Sequence, residues 1–190
     1  MADWVLAVER AYVAAATSPH PTGGDPRHLS RAKAAAAAVA SRFLAVGTPR
    51  SMSFVFDVGP ELEEAVWTLE AHRTWFAPLD LRCAGTGRAD ELAARIGGRA
   101  VTIAEALAAD IVNVHGAYVP VTAAQLRRGT HVNVLGYEAC VDPELRALAT
   151  CVDEPRGLPA LAAGLVDGRQ LDELTVFFAG DAAIALAALA

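Results

Sequence analysis

The feature that most constrains the fold is the stretch SFVFDVGPEL at residues 53–62, in which a short apolar run leads directly into the start of a helix. The apolar run, 52–56, has the pattern of a strand that is buried on both faces, as in a parallel sheet. Pro60 suits the first position of a helix, and apolar residues at helical spacing follow it. The stretch therefore predicts a strand, a tight turn and a helix of an α/β protein.

The rest of the chain repeats this alternation of short apolar runs and helical patterns. Further strands are predicted at 79–83, 99–102, 110–114, 130–135 and 174–178, with another candidate at 151–152. Helices are predicted between most of these strands, and also at 3–16, behind Asp3 as its cap, and at 30–46. Because such an alternation forms βαβ units, we predict a doubly wound, mainly parallel Rossmann-like sheet with flanking helices and additional N-terminal helices.

A connector rich in proline and glycine, SPHPTGGDP at 18–26, separates the first helix from the rest of the chain. We therefore assign residues 1–29 to an N-terminal helix with its connector, and residues 30–190 to a Rossmann-like domain with the helix that precedes it. The chain has 190 residues, of which 54% are hydrophobic and 20% charged, which is sufficient for one substantial core.

Charge and cysteine content exclude several classes of function. The net charge of -6 and the absence of clustered Lys and Arg argue against a nucleic-acid partner. Cys83, Cys140 and Cys151 lack the spacing of metal ligands, so neither a metal site nor a disulfide framework is predicted. No apolar run reaches the roughly 20 residues that span a membrane, and the start lacks the basic region of a signal peptide. We expect a cytoplasmic protein without a membrane partner.

Several sequence blocks, taken in order, carry a family resemblance. The blocks are VLAVERAY at 5–12, RAKAAAAAVASRFLA at 31–45, ADIVNV at 109–114, GTHVNVLG at 129–136 and DELTVF at 172–177. They resemble blocks of the ornithine cyclodeaminase and mu-crystallin family. The first two are similar to the family's first helix and to the helix before its Rossmann domain. The other three are similar to its ADIV strand, its GxHVNxxG strand and its C-terminal DEITVF segment. The resemblance implies an NAD(P)-type Rossmann domain over nearly the whole chain.

The chain departs from that family in its lobes and in its phosphate loop. Family members carry a β-rich substrate and dimerisation lobe between the two N-terminal helices, whereas here the connector 17–29 is too short for a sheet. The family's G-x-G-x-x-A/G pattern falls on Asp57, Gly59 and Leu62, so only the second glycine is kept. Asp57 and Glu61 also place negative charge where a pyrophosphate binds. We therefore expect NAD(P) binding to be weak or lost, and no cofactor.

Two further comparisons with the family concern the ribose site and the catalytic acid. No acid follows the strand predicted at 79–83, and Arg88 is the group there that could meet a 2′-phosphate. Glu138 lies near the position of the family's acid that acts on the substrate amine, but the segment after it is shorter and different. A loop carboxylate is the simpler interpretation of Glu138, so we predict no catalytic residue.

Four residues are candidate contacts for a ligand or a partner. His115 and Tyr118 follow the strand at 110–114, at the end where doubly wound folds bind ligands, although a histidine satisfied by the backbone is the simpler alternative. Trp75 and Phe76 follow a helix end, where aromatic side chains are often partly exposed and mark partner sites. An open sheet edge is a further place for an extended peptide.

These observations favour a non-catalytic member of the cyclodeaminase family, a pseudoenzyme that binds a peptide or protein partner and presents a precursor peptide to biosynthetic enzymes. A homo-oligomer is compatible with this interpretation. One alternative is an NAD(P)-dependent cyclodeaminase or imine-reductase-type enzyme that a partner subunit completes. Another is a small-ligand sensor that uses the old cofactor crevice. The sequence leaves open whether the chain is an enzyme.

Overall fold

The structure is a computed structural model, and it describes residues 2–17, 23–56, 61–77, 80–85, 87–116, 119–154, 156–168 and 172–190. The predicted phosphate-loop residues Asp57 and Gly59 lie outside these ranges, as do Tyr118 and the side chain of Glu61. The predictions made for these four residues therefore remain predictions.

In the described part of the chain, seven strands form one sheet in which every neighbouring pair of strands is parallel. The strands are β1 (Ser51–Phe56), β2 (Asp80–Gly85), β3 (Arg99–Ala100), β4 (Ile111–Val114), β5 (His131–Val134), β6 (Thr150–Asp153) and β7 (Thr175–Phe178). Their order across the sheet is β3-β2-β1-β4-β5-β7-β6. This arrangement confirms the predicted doubly wound, Rossmann-like α/β fold.

Helices flank the sheet and precede it. Within the described residues the helices are α1 (Asp3–Ala15), α2 (Leu29–Leu44), α3 (Glu61–His72), α4 (Ala89–Ile96), α5 (Ile103–Leu107), α6 (Pro143–Leu148), α7 (Gly157–Ala162) and α8 (Ala183–Ala188). Single 3₁₀ turns lie at Pro26–His28, Ala123–Gln125 and Glu138–Cys140. Helix α7 is not predicted from the sequence, because Gly157 and Pro159 usually oppose a helix. Pro159 lies in the first turn of α7, where its missing N–H costs no hydrogen bond.

Two apolar layers bury the sheet, because side chains alternate between its faces along each strand. On one face, β1 packs with α3 and α4 through Met52, Phe54, Leu62, Leu69, Leu92 and Ile96. On the other face, β1, β4, β5 and β7 pack with α5 and α6 through Val55, Val112, Val132, Val176, Leu107 and Leu145. Fully burying one such large side chain contributes roughly 1.5–3 kcal/mol. Burial on both faces is the reason that the strands are continuous apolar runs.

Helix α2 lies at the centre of the first face, beside α3. Ten of its 16 residues are buried, and most of these are alanines. Small side chains allow α1, α3, α7 and α8 to approach α2 from several directions, and alanine is also the strongest helix former. Helix α1 adds Val5, Val8 and Tyr12 to the same cluster of buried residues. The alanine tract is therefore a packing surface for four neighbouring helices.

The start of α1 differs from the prediction. Asp3 is expected to cap the helix, but Ala2 occupies the cap position and no side chain caps the helix. Asp3 lies inside the first turn, where its charge still interacts favourably with the helix dipole.

The direction of winding changes between β1 and β4, which are neighbours in the middle of the sheet. From β1 the chain continues to β2 and β3 on one side, and from β4 it continues to β5, β6 and β7 on the other. In open α/β sheets, ligands bind beyond the carboxyl ends of the strands at this switch point. Helix α3 follows β1 there, so the crevice lies between the start of α3 and the residues that follow β4.

The part of the chain that the structure describes lacks two features. None of its helices is both long and apolar enough to cross a membrane. No group of His, Cys, Asp and Glu side chains there is arranged to hold a metal ion.

Candidate functional site

The candidate site is the crevice beyond the carboxyl ends of β1 and β4. Of the residues on which the family's phosphate-loop pattern falls, the structure describes the side chain of Leu62. This side chain is buried and belongs to the same apolar cluster as Phe54 and Phe56. The position that has a small residue in the family's pattern is therefore filled here by a leucine that packs α3 onto β1.

A histidine–glutamate pair joins β4 to the start of α3. His115 directly follows β4, and its main-chain N–H donates a hydrogen bond to Val55 O of β1 at 2.8 Å. Its side chain is fully buried, with Nδ1 2.8 Å from Oε1 of Glu64, the fourth residue of α3. The imidazole also stacks on Phe54, with ring centroids 6.1 Å apart. The pair thus lies at the switch point, on the face of the sheet that α3 covers.

The hydrogen bonding of this pair leaves one buried atom unpaired. Nδ1 of His115 and Oε1 of Glu64 share one hydrogen bond, and the tautomer of the ring decides which atom donates. Nε2 is buried and has no hydrogen-bond partner among the described residues. Leaving a buried polar atom unpaired costs about 1–3 kcal/mol. His115 is therefore an exception to the rule that buried polar atoms have a hydrogen-bond partner.

Main chains approach each other closely along the same edge of the sheet. A Cβ atom on Gly136, two residues after β5, would lie 2.8 Å from His115 O. Gly85 ends β2 with a φ of +153°, and a Cβ atom there would lie 1.9 Å from Phe56 O. No side chain fits at either position, because the neighbouring main chains already occupy the space.

Two cationic side chains border the crevice. Lys33, in the first part of α2, donates from Nζ to Leu135 O at 2.7 Å, directly after β5. Arg88, which precedes α4, donates from Nε and Nη2 to the two carboxylate oxygens of Glu91, each at 2.9 Å. These hydrogen bonds raise the pKa of Arg88 and lower that of Glu91. Between β2 and α4, the described residues 87 and 88 include no acid that could bind ribose hydroxyls.

Glu138 lies in the 3₁₀ turn after β5, and its side chain is 54% exposed. Arg146 of α6 donates to its main-chain oxygen at 2.6 Å and to its Oε2 at 3.4 Å. Glu138 is thus on the carboxyl side of the sheet, but it is paired with an arginine and exposed to solvent. This environment gives no support to a role in proton transfer.

The aromatic candidates Trp75 and Phe76 lie at the far end of α3. Both are partly buried, Trp75 beneath the guanidinium of Arg42 and Phe76 stacked on His72 with centroids 5.9 Å apart. Phe76 lines a cavity of about 430 Å³ between the ends of α3 and α4. Helix α3 has 12 residues, so about 18 Å separates this cavity from the switch point. The structure does not bring these aromatic residues together with His115.

A buried polar network that the sequence reasoning missed lies beneath α2. Its members occupy α2, α3 and three strands, and they are Ser41, Thr68, His72, Asn113, His131, Asn133 and Thr175. None of these seven residues is exposed. The available signal was the alternation of polar residues in NVH and HVNV, which places Asn113, His131 and Asn133 on one face of two adjacent strands.

The chain resembles several solved structures at the level of the fold. It matches an archaeal alanine dehydrogenase with bound NAD at 21% identity and a TM-score of 0.68, over 83% of this chain and 60% of that one. It matches the Δ1-pyrroline-2-carboxylate reductase of Thermococcus litoralis, in complex with NADH and L-proline, at 15% identity and a TM-score of 0.72, over 97% and 90%. A lysine cyclodeaminase is matched at 22% identity and a TM-score of 0.59, over 83% and 56%.

The chain has the fold of NAD-binding reductases and cyclodeaminases. It spans about 60% of the length of the alanine dehydrogenase chain. No protein-family model matches the sequence, and no curated protein is significantly similar to it. The expected resemblance to the cyclodeaminases is therefore supported for the fold, whereas the absence of a substrate lobe remains an expectation.

These findings contradict the prediction that the chain uses no cofactor, because the shared fold holds NAD or NADH in two of these structures. The prediction counted the acids near the phosphate loop as charges directed at a pyrophosphate. The side chains of those acids, Asp57 and Glu61, lie outside the described residues. Of the two acids that follow them in α3, Glu63 is exposed, whereas Glu64 is hydrogen-bonded to His115 and largely buried. Strand order and the start of α3, which create the crevice, do not depend on the number of glycines.

The described residues of the crevice fit a dinucleotide. The carboxyl ends of β1 and β4 adjoin the start of α3, and the hydrogen bond between His115 and Glu64 joins β4 to α3. The backbone at Gly85 and Gly136 leaves no space for side chains. Lys33 adds positive charge at the same edge.

Proposed function

We propose that this chain is the dinucleotide-binding part of an NAD(P)-dependent enzyme of the cyclodeaminase or imine-reductase type, which a partner subunit completes. The observation that carries the proposal is the crevice at the switch point, where β1, β4 and α3 meet beside an unpaired buried nitrogen of His115. The solved structures of this fold include an alanine dehydrogenase, a reductase in complex with L-proline and a cyclodeaminase that recognises L-lysine. We infer the same class of substrate, an amino or imino acid.

Each described part of the crevice has a physical role in this proposal. Main-chain N–H groups at the start of α3 attract the pyrophosphate, because the positive end of the helix dipole lies there. Lys33 adds attraction for the anion, and Glu64 is held away from it by His115. The bound dinucleotide supplies the hydride acceptor or donor. The chain itself binds and orients it on the backbone beside Gly85 and Gly136.

The site for the adenosine ribose favours neither form of the nucleotide strongly. Arg88 stands where a 2′-phosphate would lie, but it is already paired with Glu91. A phosphate would have to compete with that carboxylate. We therefore expect NADH and NADPH to bind with affinities that differ by less than about tenfold, or about 1.4 kcal/mol.

The test of this function is a titration of the purified chain with NADH and NADPH, followed by nucleotide fluorescence and by thermal unfolding. Ligand at 100 times its dissociation constant stabilises the folded state by about 2.7 kcal/mol, which corresponds to a rise in Tm of roughly 5–10 °C. Lys33→Glu should weaken binding roughly threefold or more through charge repulsion. Arg10→Glu, at an exposed position of α1, is the matched control and should leave the affinity unchanged. Absence of binding by both nucleotides would refute the proposal.

A second candidate function is the binding of a peptide partner by a pseudoenzyme, and the cavity between α3 and α4 favours it. Leu69, Phe76, Leu81 and Ile96 line this cavity, and Arg73 lies beside them without an ion pair among the described residues. Apolar walls and one free cation suit an apolar side chain next to an acidic one. Phe76→Asp should abolish retention on an array of acidic, leucine-rich peptides, whereas Tyr137→Asp, at an exposed position, should not. Equal retention of both variants would exclude this cavity as the site.

A further inference from the structure

We propose that the cavity between the ends of α3 and α4 is a second ligand site, which binds a small carboxylic acid with an apolar tail. This inference goes beyond the proposed function, because the cavity lies about 18 Å from the switch point and its walls are separate from the crevice. Three observations carry it: the size of the cavity, the apolar character of its walls, and the single charged side chain among the described residues that line it.

The cavity has the size and the walls of a small-molecule site. Its volume of about 430 Å³ lies near the lower end of the range of roughly 300–1,000 Å³ that is typical of ligand pockets. Leu69 of α3, Leu81 of β2 and Ile96 of α4 form walls, and these side chains are between 5% and 8% exposed. Phe76, just after α3, adds an aromatic ring that is partly buried. Such walls stabilise an apolar group because they remove its surface from water.

The end of α4 leaves this space unfilled. Gly97 ends the helix with a left-handed φ of +74°, and a Cβ atom there would meet nothing within 4 Å. Gly98 follows, and a Cβ atom on it would lie 2.8 Å from Leu81 O. Because neither residue has a side chain, the turn from α4 into β3 adds only main chain beside the cavity.

Arg73 is the charged group of the described lining. Its side chain is exposed and has no ion pair among the residues that the structure describes. His72 also lines the cavity, but burial lowers its pKa to about 4, so its ring is neutral at physiological pH. Glu70 and Arg95 border an adjoining cavity together with Arg73, and their charges oppose each other. An anionic group of a ligand would therefore pair with the guanidinium of Arg73.

The lining favours a free acid over the peptide partner considered above. Apart from Arg73, the described side chains of the lining are apolar or, in the case of His72, already hydrogen-bonded through both ring nitrogens. The amide groups of a peptide in this cavity would lose their hydrogen bonds to water without replacement, which is unfavourable. A monocarboxylic acid carries one polar group, which can pair with Arg73 while the tail is buried.

The first experiment titrates the wild-type chain with 4-methylpentanoate and follows the isoleucine methyl groups by ¹³C NMR. The chain contains four isoleucines. The methyl resonances of Ile96 should move as the acid binds, with a dissociation constant of roughly 0.1–1 mM for a ligand of this size. The resonances of Ile103 in α5 and Ile184 in α8 should not move, because these residues lie in other parts of the structure.

Matched ligands test the two halves of the recognition. 4-Methylpentanamide has the same shape without the charge, and it should bind roughly fivefold or more weakly than the acid. Acetate has the charge without the tail, so it should leave the Ile96 resonances unchanged at the same concentrations.

The second experiment measures the affinity of variants for the acid and for the amide. Arg73→Gln removes the charge, so affinity for the acid should fall roughly fivefold or more, whereas affinity for the amide should change by less than about twofold. Arg10→Gln, at an exposed position of α1, is the matched control and should leave both affinities unchanged. Since the amide reports on the walls alone, the split between the two ligands separates lost charge from a damaged cavity.

Several outcomes would overturn the inference. They are equal affinities for acid and amide, acid binding that leaves Ile96 unmoved, and no binding of the acid. If an acidic, leucine-rich peptide moved the Ile96 resonances at lower concentrations than the acid does, the cavity would belong to a peptide partner, and the inference would again be wrong. Failure of NADH to bind would refute the proposed function alone, because the acid is titrated without nucleotide.

Discussion

Two groups of buried polar side chains lie on the same face of the sheet, and they differ in one respect. In the network beneath α2, both nitrogens of His72 and both nitrogens of His131 have hydrogen-bond partners. In the pair at the crevice, His115 has a partner for Nδ1 and none for Nε2 among the described residues. The comparison separates a network whose histidines are fully hydrogen-bonded from a pair at the switch point that leaves one histidine nitrogen without a partner.

In the network, one assignment of donors and acceptors accounts for the hydrogen bonds of His72, Ser41 and Asn133. His72 donates from Nδ1 to Thr68 O, so its Nε2 accepts from the hydroxyl of Ser41. The amide of Asn133 donates to Ser41 Oγ at 2.9 Å and to Asn113 Oδ1 at 3.0 Å. Burial lowers the pKa of His72 to about 4, which keeps the ring neutral at physiological pH. A fully satisfied network of this kind stabilises one arrangement of α2 on the sheet.

The largest effect should follow from Asn133→Leu, because Asn133 is the central member of the network. The substitution leaves the bonding groups of Ser41, Asn113 and His131 without their partner in a dry environment, and we expect a loss of about 4 kcal/mol in the free energy of unfolding. Asn113→Leu is the matched control at a more peripheral position, and about 2 kcal/mol should be lost. Denaturant titration measures both, and equal losses would contradict the central role of Asn133.

The next largest effect concerns acid pH and His72. As pH falls, a histidine in the unfolded chain binds a proton near pH 6.5, whereas the pKa of His72 in the folded protein is about 4. The unfolded state therefore binds more protons in this window, and stability should fall by about 3 kcal/mol from pH 7 to pH 4 through this residue.

The variant His72→Gln isolates this contribution. Burial raises the pKa of Glu154, so protonation of this residue increases stability as pH falls through the same range. Both proteins contain Glu154, so its contribution cancels when their unfolding free energies are subtracted. The difference in unfolding free energy between wild type and His72→Gln should shrink or reverse toward pH 4. A difference independent of pH would show that His72 is not neutral in the folded protein.

A smaller effect should come from Tyr12→Phe, which tests a second buried pair with an unpaired atom. The hydroxyl of Tyr12 donates to Oε1 of Glu154 at 3.1 Å, while Oε2 has no partner among the described residues. Oε1 also accepts from the main chain of Ile184 and Ala185, so the carboxylate stays anchored. We expect a loss of about 1 kcal/mol in stability and no change in NADH affinity. A loss of affinity would show that an unpaired atom far from the switch point also contributes to binding.

The smallest effect on stability should follow from His115→Phe. The substitution breaks the bond to Glu64, but it also removes an unpaired buried nitrogen and keeps the aromatic stack on Phe54. These changes oppose each other, so the free energy of unfolding should change by less than about 1 kcal/mol. A loss as large as that of Asn133→Leu would place His115 among the stabilising residues and remove the distinction between the two groups.

Most of the fold follows from the pattern of the sequence. Strands such as 52–56 are continuous apolar runs, because both faces of a parallel sheet are covered, and short helices separate them at regular intervals. The exception, α7, contains Gly157 and Pro159, and tertiary packing of Leu158 and Leu161 outweighs their low helix propensity.

The site was predictable only in part. His115 could be placed at the carboxyl end of its strand, but its partner Glu64 is 51 residues away in the sequence, so the pair becomes visible only in the folded chain. The same applies to the network, in which Ser41 and Asn133 are 92 residues apart. The effect of Asp57 and Glu61 on a pyrophosphate was judged from sequence position alone, and both side chains lie outside the described residues.

The most direct test of the central claim is a crystal structure of the chain with NADH. The account predicts the pyrophosphate at the start of α3 and the nicotinamide half beyond the carboxyl end of β4. A structure with NADH in the cavity between α3 and α4, or with the nicotinamide half remote from His115, would contradict it.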